Sequence, residues 1–176
     1  MGAEQDKTLQ ALEMAIQMEN DGQKFYLKAS EEIGNEMGKR LMQSLAAEEE
    51  VHRKKFQEVY KSIQNRRGWP SVDFEPDGGK KLRTILATAT EDMGADAKPS
   101  GSEMDAVEEA MELENKTRAF YNKQAKVAAY DAERELYETL ASEEQEHHLI
   151  LLDYYEYLKD PADWFTTKEH HSLDGG

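Results

Sequence analysis

Residues 45–52 read LAAEEEVH, and residues 140–147 read LASEEQEH. Each stretch ends in a Glu-x-x-His pair, Glu49 with His52 and Glu144 with His147. On a helix, positions i and i+3 lie about 60° apart around the axis, so a carboxylate and an imidazole so placed reach one ion from one face. One such pair in a glutamate-rich chain is also what a solvated helix face produces. The second copy changes the reading, because Leu45, Ala46, Glu48, Glu49 and His52 recur 95 residues later as Leu140, Ala141, Glu143, Glu144 and His147.

The same offset relates an upstream segment. Residues 11–26 (ALEMAIQMENDGQKFY) lie over residues 106–121 (AVEEAMELENKTRAFY), matching at Ala, Glu, Ala, Glu, Asn, Phe and Tyr. Two separate motifs sharing one offset indicate an internal duplication. The upstream pair carries Glu19 and Glu114, each followed seven residues later by a tyrosine, Tyr26 and Tyr121. Seven residues is close to two helical turns, so each tyrosine stands almost directly above its glutamate.

Composition narrows the function. A chain of 176 residues, 34% charged and with four prolines, favours one domain of long helices. Its net charge of −15 argues against nucleic acid or an anionic membrane as a partner. Cysteine does not occur, which removes disulfides, thiolate zinc sites, iron–sulfur clusters and a rubredoxin-type Cys-x-x-Cys module. The first residues, MGAEQDKTLQ, have neither a basic n-region nor an apolar stretch, and a soluble cytoplasmic protein is expected.

Read in order, 1–176 is expected to be a single domain with a helix hairpin over 4–66, a crossover over 67–102, a second hairpin over 103–158 and a tail over 159–176. Leu9, Leu12, Ala15, Ile16, Tyr26 and Ala29 recur at helical spacing over 4–32, and Glu19 falls on that apolar stripe. Gly34-Asn35 is a stop, and the next helix is expected over 36–66. In the crossover, Gly68-Trp69-Pro70, Pro76-Asp77-Gly78-Gly79 and Pro99-Ser100-Gly101 punctuate the chain, leaving 80–93 (KKLRTILATATEDM) as a short helix. The second hairpin is expected as helices over 103–128 and 131–158, ended by Asp160-Pro161. Trp164 and Phe165 in the tail are expected to dock on the bundle or on a second subunit.

Two Glu-x-x-His helices and two helices each offering an inward Glu make a six-ligand set with pseudo-twofold symmetry: Glu19, Glu49, His52, Glu114, Glu144 and His147. Such a set suits two hard divalent ions held in a helix bundle. The spacing leaves open which glutamates bridge, and the symmetry favours Glu49 and Glu144, each beside its own histidine. On these motifs the chain resembles the rubrerythrin or erythrin-type members of the ferritin-like superfamily over roughly residues 5–158. The resemblance implies an all-α, ferritin-like four-helix bundle of two repeated antiparallel hairpins joined by one long crossover. It implies two iron ions, with manganese or a mixed pair as alternatives, and reduction of hydrogen peroxide or oxygen as iron cycles between its ferrous and ferric states. The family's C-terminal rubredoxin domain is expected to be absent, so a separate electron donor, such as a rubredoxin-type protein, is implied. Rubrerythrins also carry an extra Glu three residues after the ligand of the third bundle helix; here that place is Thr117, mirrored by Gly22.

Other residues have plainer expectations. Tyr26 and Tyr121 are either core tyrosines or donors to metal-bound carboxylates. Glu48 and Glu143 sit about 100° from the ligand face and are expected to be solvated. His148 is likewise off the ligand face, and His170 and His171 are expected on the surface. Two further functions stay open: a ferroxidase that passes iron onward, and a non-catalytic helical scaffold. A homodimer is the expected assembly.

Overall fold

A computed structural model describes residues 3–71 and 74–173, with side chains described over 5–71 and 74–168. His170 and His171 therefore lie outside the described side chains. Among the described residues all regular structure is helical: α1 (Ala3–Glu32), α2 (Glu36–Gln64), α3 (Lys80–Met93), α4 (Gly101–Val127), α5 (Asp131–Lys159) and α6 (Pro161–Leu173). This is the all-helical architecture of a ferritin-like bundle. α1 pairs with α2, α4 pairs with α5, and the hairpins meet through α1 and α4.

The turns follow from local chemistry. Asn35 has an extended backbone, and its side chain accepts from the Gly38 amide, supplying one of the donors that a helix start leaves unpaired. Ser100 caps α4 the same way, its Oγ accepting from Glu103 N at 3.2 Å. α2 ends two residues before the expected 66, where Arg66 turns into the left-handed region at φ 59° and Gly68 follows at 75°. The crossover helix has the expected bounds, and it packs against both α2 and α5.

The tail differs from expectation. Asp160-Pro161 does end α5, but the same two residues start another helix. Asp160 Oδ1 accepts from the Asp163 amide at 3.0 Å, and Pro161 takes the first helical position, where it has no amide to lose. On α6, Trp164 Nε1 donates to Asp153 Oδ1 at 3.0 Å, while Trp164 and Phe165 both meet Tyr157 edge-on. Docking is thus onto the chain's own bundle.

The core is split into two apolar layers. One contains Tyr26, Ile33, Leu41, Leu45, Leu82, Val107, Ile150 and Tyr154. The other contains Leu12, Ala15, Phe56, Val59, Tyr121, Leu136, Tyr137 and Leu140. Along each bundle helix the candidate ligands fall between the two layers: Glu19 between Ala15 and Tyr26, Glu49 and His52 between Leu45 and Phe56, Glu114 between Ala110 and Tyr121, and Glu144 and His147 between Leu140 and Ile150. The polar band is enclosed at mid-length between the two apolar layers. Val51, Leu149 and Leu152 turn outward and belong to neither layer.

Candidate metal centre

All six candidate ligands are at most 3% exposed. Their donor atoms form two quartets, Glu19, Glu49, His52 and Glu144 in one, and Glu49, Glu114, Glu144 and His147 in the other, with all atoms of a quartet within 4.8 Å of one another. Glu49 and Glu144 belong to both. The two imidazoles stand parallel, ring centroids 5.6 Å apart and planes 11° apart.

Each histidine turns Nδ1 toward the carboxylates. His52 Nδ1 lies 3.3 Å from Glu144 and 3.5 Å from Glu19. His147 Nδ1 lies 3.3 Å from Glu49, 3.4 Å from Glu144 and 3.7 Å from Glu114. None of these approaches makes a hydrogen bond. Glu19 Oε2, Glu49 Oε1, both oxygens of Glu144, His52 Nδ1 and His147 Nδ1 are buried without a hydrogen-bond partner. Buried polar atoms ordinarily find partners, and leaving one unpaired costs about 1–3 kcal/mol. Six in one place, all acceptors of electron-deficient species, fit a pair of divalent cations in donor number and donor type.

The electrostatics agree. Burial and the charges of neighbouring carboxylates push Glu49 well above the ordinary value, and push Glu144 up to about 8. Glu19 rises for the same reasons. Glu114 goes the other way, to about 2, because His147 and the Tyr26 hydroxyl outweigh its burial. Burial alone would lower the histidines, yet the facing carboxylates raise both well above 6.5. Four glutamates in this volume need positive charge beside them, supplied by protons or by metal ions.

The two tyrosines are donors to the cluster, and they act across the bundle rather than along their own helices. Tyr26 on α1 donates to Glu114 Oε1 on α4, and Tyr121 on α4 donates to Glu19 Oε1 on α1. Both are fully buried, and burial next to carboxylates holds each phenol well above its usual 10, so each keeps its proton. Each tyrosine therefore fixes one oxygen of an outer glutamate, and for Glu19 this leaves Oε2, the oxygen that faces His52, to the centre.

The expectation for Glu48 and Glu143 is corrected. Glu48 Oε2 lies 2.9 Å from His147 Nε2, and Glu143 is only 5% exposed. The reason is the crossover: residues 74–77 and α3 cover the α2–α5 side of the bundle, so a position 100° off the ligand face is still interior. The signal was present in the repeat, since Glu48 and Glu143 are related by the same offset of 95 as the ligands. The Glu48 contact places the proton of His147 on Nε2 and leaves Nδ1 as the free donor atom, a common orienting device around metal-binding histidines. His148 stays outside the cluster, with Nδ1 3.4 Å from the Met111 carbonyl.

Gly22 and Thr117, equivalent in the repeat, differ in what they leave room for. A Cβ at Gly22 would stand 2.9 Å from Glu49 Oε2, so glycine is what admits that carboxylate. Thr117 is buried, with its hydroxyl turned back to the Leu113 carbonyl on its own helix.

No curated protein and no solved structure matches the chain. The family model described as Rubrerythrin matches residues 10–93, which take in most of α1 and all of α2 and α3. That match spans a little under half of the chain; with the all-helical bundle and a Glu/His cluster able to hold metal, the chain is similar to the rubrerythrins over α1 to α3.

Proposed function

We propose that the chain is a di-iron oxidoreductase that reduces hydrogen peroxide, or oxygen, in the rubrerythrin manner. The observation that carries this reading is the pair of quartets sharing Glu49 and Glu144, with six of their donor atoms buried and unpartnered. Glu19 and His52 would hold one iron, Glu114 and His147 the other, and Glu49 and Glu144 would span both. When bound, two ferrous ions supply the two electrons that convert one hydrogen peroxide, with two protons, to two waters.

The surrounding residues have defined tasks. Tyr26 and Tyr121 hold Glu114 and Glu19 by donated hydrogen bonds, so the outer carboxylates do not swing as charge at the centre changes. Glu48 fixes the tautomer of His147. The apolar layers on either side, closed by Phe56 and Leu140 on one side and by Leu45 and Ile150 on the other, keep bulk water from the polar band. Electrons come from a separate protein, and a net charge of −15 suits a donor with a basic face.

The test is stopped-flow absorption of the anaerobic, ferrous-loaded protein mixed with peroxide and, separately, with air-saturated buffer. Rapid oxidation by peroxide, slower oxidation by oxygen and two irons retained per chain are expected. Faster oxidation by oxygen with release of ferric iron would make the protein a ferroxidase instead. Failure to retain iron at all would leave a scaffold.

A further inference from the structure

Beside the quartets, on the α2–α5 side, lies a cavity of about 150 Å³. Glu48, Glu143, Glu75 and Asp77 line it together with His52 and Phe74, and no Lys or Arg is among its lining residues. Two of these carboxylates come from the duplicated helices, and two from the crossover segment that crosses over them. Asp77 is engaged in the turn before α3, its oxygens accepting from the Gly79 and Lys81 amides, and Glu48 is engaged by His147. Glu143 is different. It is 95% buried, faces this cavity, and has no hydrogen bond or ion pair with any described residue. A residue this buried whose carboxylate makes no hydrogen bond to the protein is costly to keep, and α5 keeps it one residue from Glu144.

We propose that this cavity is a third divalent-cation site, separate from the two quartets, in which Glu143, Glu48 and the rim carboxylates Glu75 and Asp77 hold a hard ion such as ferrous iron or manganese. Carboxylate oxygens supplemented by water suit these ions. The site is weaker than the quartets, because two of its carboxylates are exposed and it offers no imidazole nitrogen; His52 turns Nδ1 toward the centre. The ring of His52, against Phe74 at 5.7 Å, is the wall between the two places. The site shares Glu48 with the di-iron reading, where that residue orients His147, and otherwise uses that reading only to locate the wall.

Equilibrium binding of manganous ion to the full chain under anaerobic conditions tests it, with free ion followed by its electron paramagnetic resonance signal. Three ions per chain are expected, two tight and one weaker. Glu143→Gln removes the weaker ion and retains the tight pair. Glu75→Gln, an exposed change that leaves the core alone, weakens the third site about three- to tenfold and decides the matter if the Glu143 variant fails to fold by circular dichroism. Wild-type binding of only two ions overturns the site, as does a third ion held equally well by both variants. A chain that binds one weak ion, lost in Glu143→Gln, and no tight pair would keep this site and remove the dinuclear centre instead.

Discussion

Among single residues, the sharpest tests concern side chains that touch ligands without being ligands. Tyr26→Phe removes the hydroxyl that donates to Glu114 and leaves that oxygen without its donor in a fully buried place. Loss of one buried hydrogen bond to a charged group costs about 1.5–3 kcal/mol, and loss of an orienting contact lowers metal affinity about 10–100-fold. Both effects are expected, read as a lower melting temperature and a weaker manganous binding isotherm, and Tyr121→Phe should do the same through Glu19. Gly22→Ala separates the two effects. In an ordinary helix interior the change gains about 1 kcal/mol, but here the new Cβ meets Glu49 Oε2. The chelated protein should melt no lower than wild type, while metal affinity falls by about tenfold. Unchanged affinity would mean that Glu49 does not hold metal in that position. The sequence made Glu19, Glu49, His52, Glu114, Glu144 and His147 legible as a set because duplication repeats them at one offset. Glu48 and Glu143 obeyed the same offset and were still expected in solvent, since helical angle alone does not say which side a crossover will cover. The crossed tyrosine pairing was equally out of reach, because it depends on how α1 lies against α4 rather than on either helix by itself.

Single elements differ in how much of their role their own pattern reveals. The four bundle helices and α3 announce themselves by apolar spacing between Gly, Pro and Asn breaks, which is why their bounds agree with expectation to within about two residues. What the pattern leaves undetermined is whether α3 is a tether or part of the core. Leu82 and Leu86 are buried with Ile33, Leu41 and Ile150 in one layer, so α3 is core. Leu82→Ala should therefore cost about 2–5 kcal/mol by chemical denaturation, whereas a leucine in a loose linker would cost less than about 0.5 kcal/mol. Because Leu82 belongs to an apolar layer and not to the polar band, the metal content of the folded variant should equal that of wild type. α6 was hidden for another reason: Asp-Pro reads as a terminator, and both of its residues serve equally well as the cap and first residue of a following helix. Lys168 lies 4.9 Å over the Trp164 ring and 3.0 Å from Asp153, so α6 is pinned by its aromatic face and by charge.

At the scale of the whole molecule, the fold places four carboxylates and two imidazoles in a closed band between apolar layers, and its stability is therefore tied to what neutralises them. In the chelated protein that work falls to protons. Glu144 holds its proton up to about 8, against an ordinary 4.5, and Glu19 and Glu49 are raised as well. Between pH 4.5 and 8 the native state thus carries protons that the unfolded chain has released, and folding takes protons up. The histidines act in the same direction, since both are raised well above 6.5 and their favourable charge is lost as pH rises. Glu114, held at about 2, acts oppositely, but only below about 4.5. Each proton bound more by the native state makes stability fall by about 1.4 kcal/mol per pH unit. The melting temperature of chelated protein should therefore drop steadily from pH 5.5 to pH 8.5. Metal reverses the sign of the argument: cations replace the protons, bind only the native arrangement, and bind more tightly as protons leave. The loaded protein should accordingly change little over the same range, and the gap between loaded and chelated melting temperatures should widen with pH. Parallel curves would mean that the six side chains do not share a cation, since no arrangement of four buried carboxylates is indifferent both to protons and to the ions that displace them.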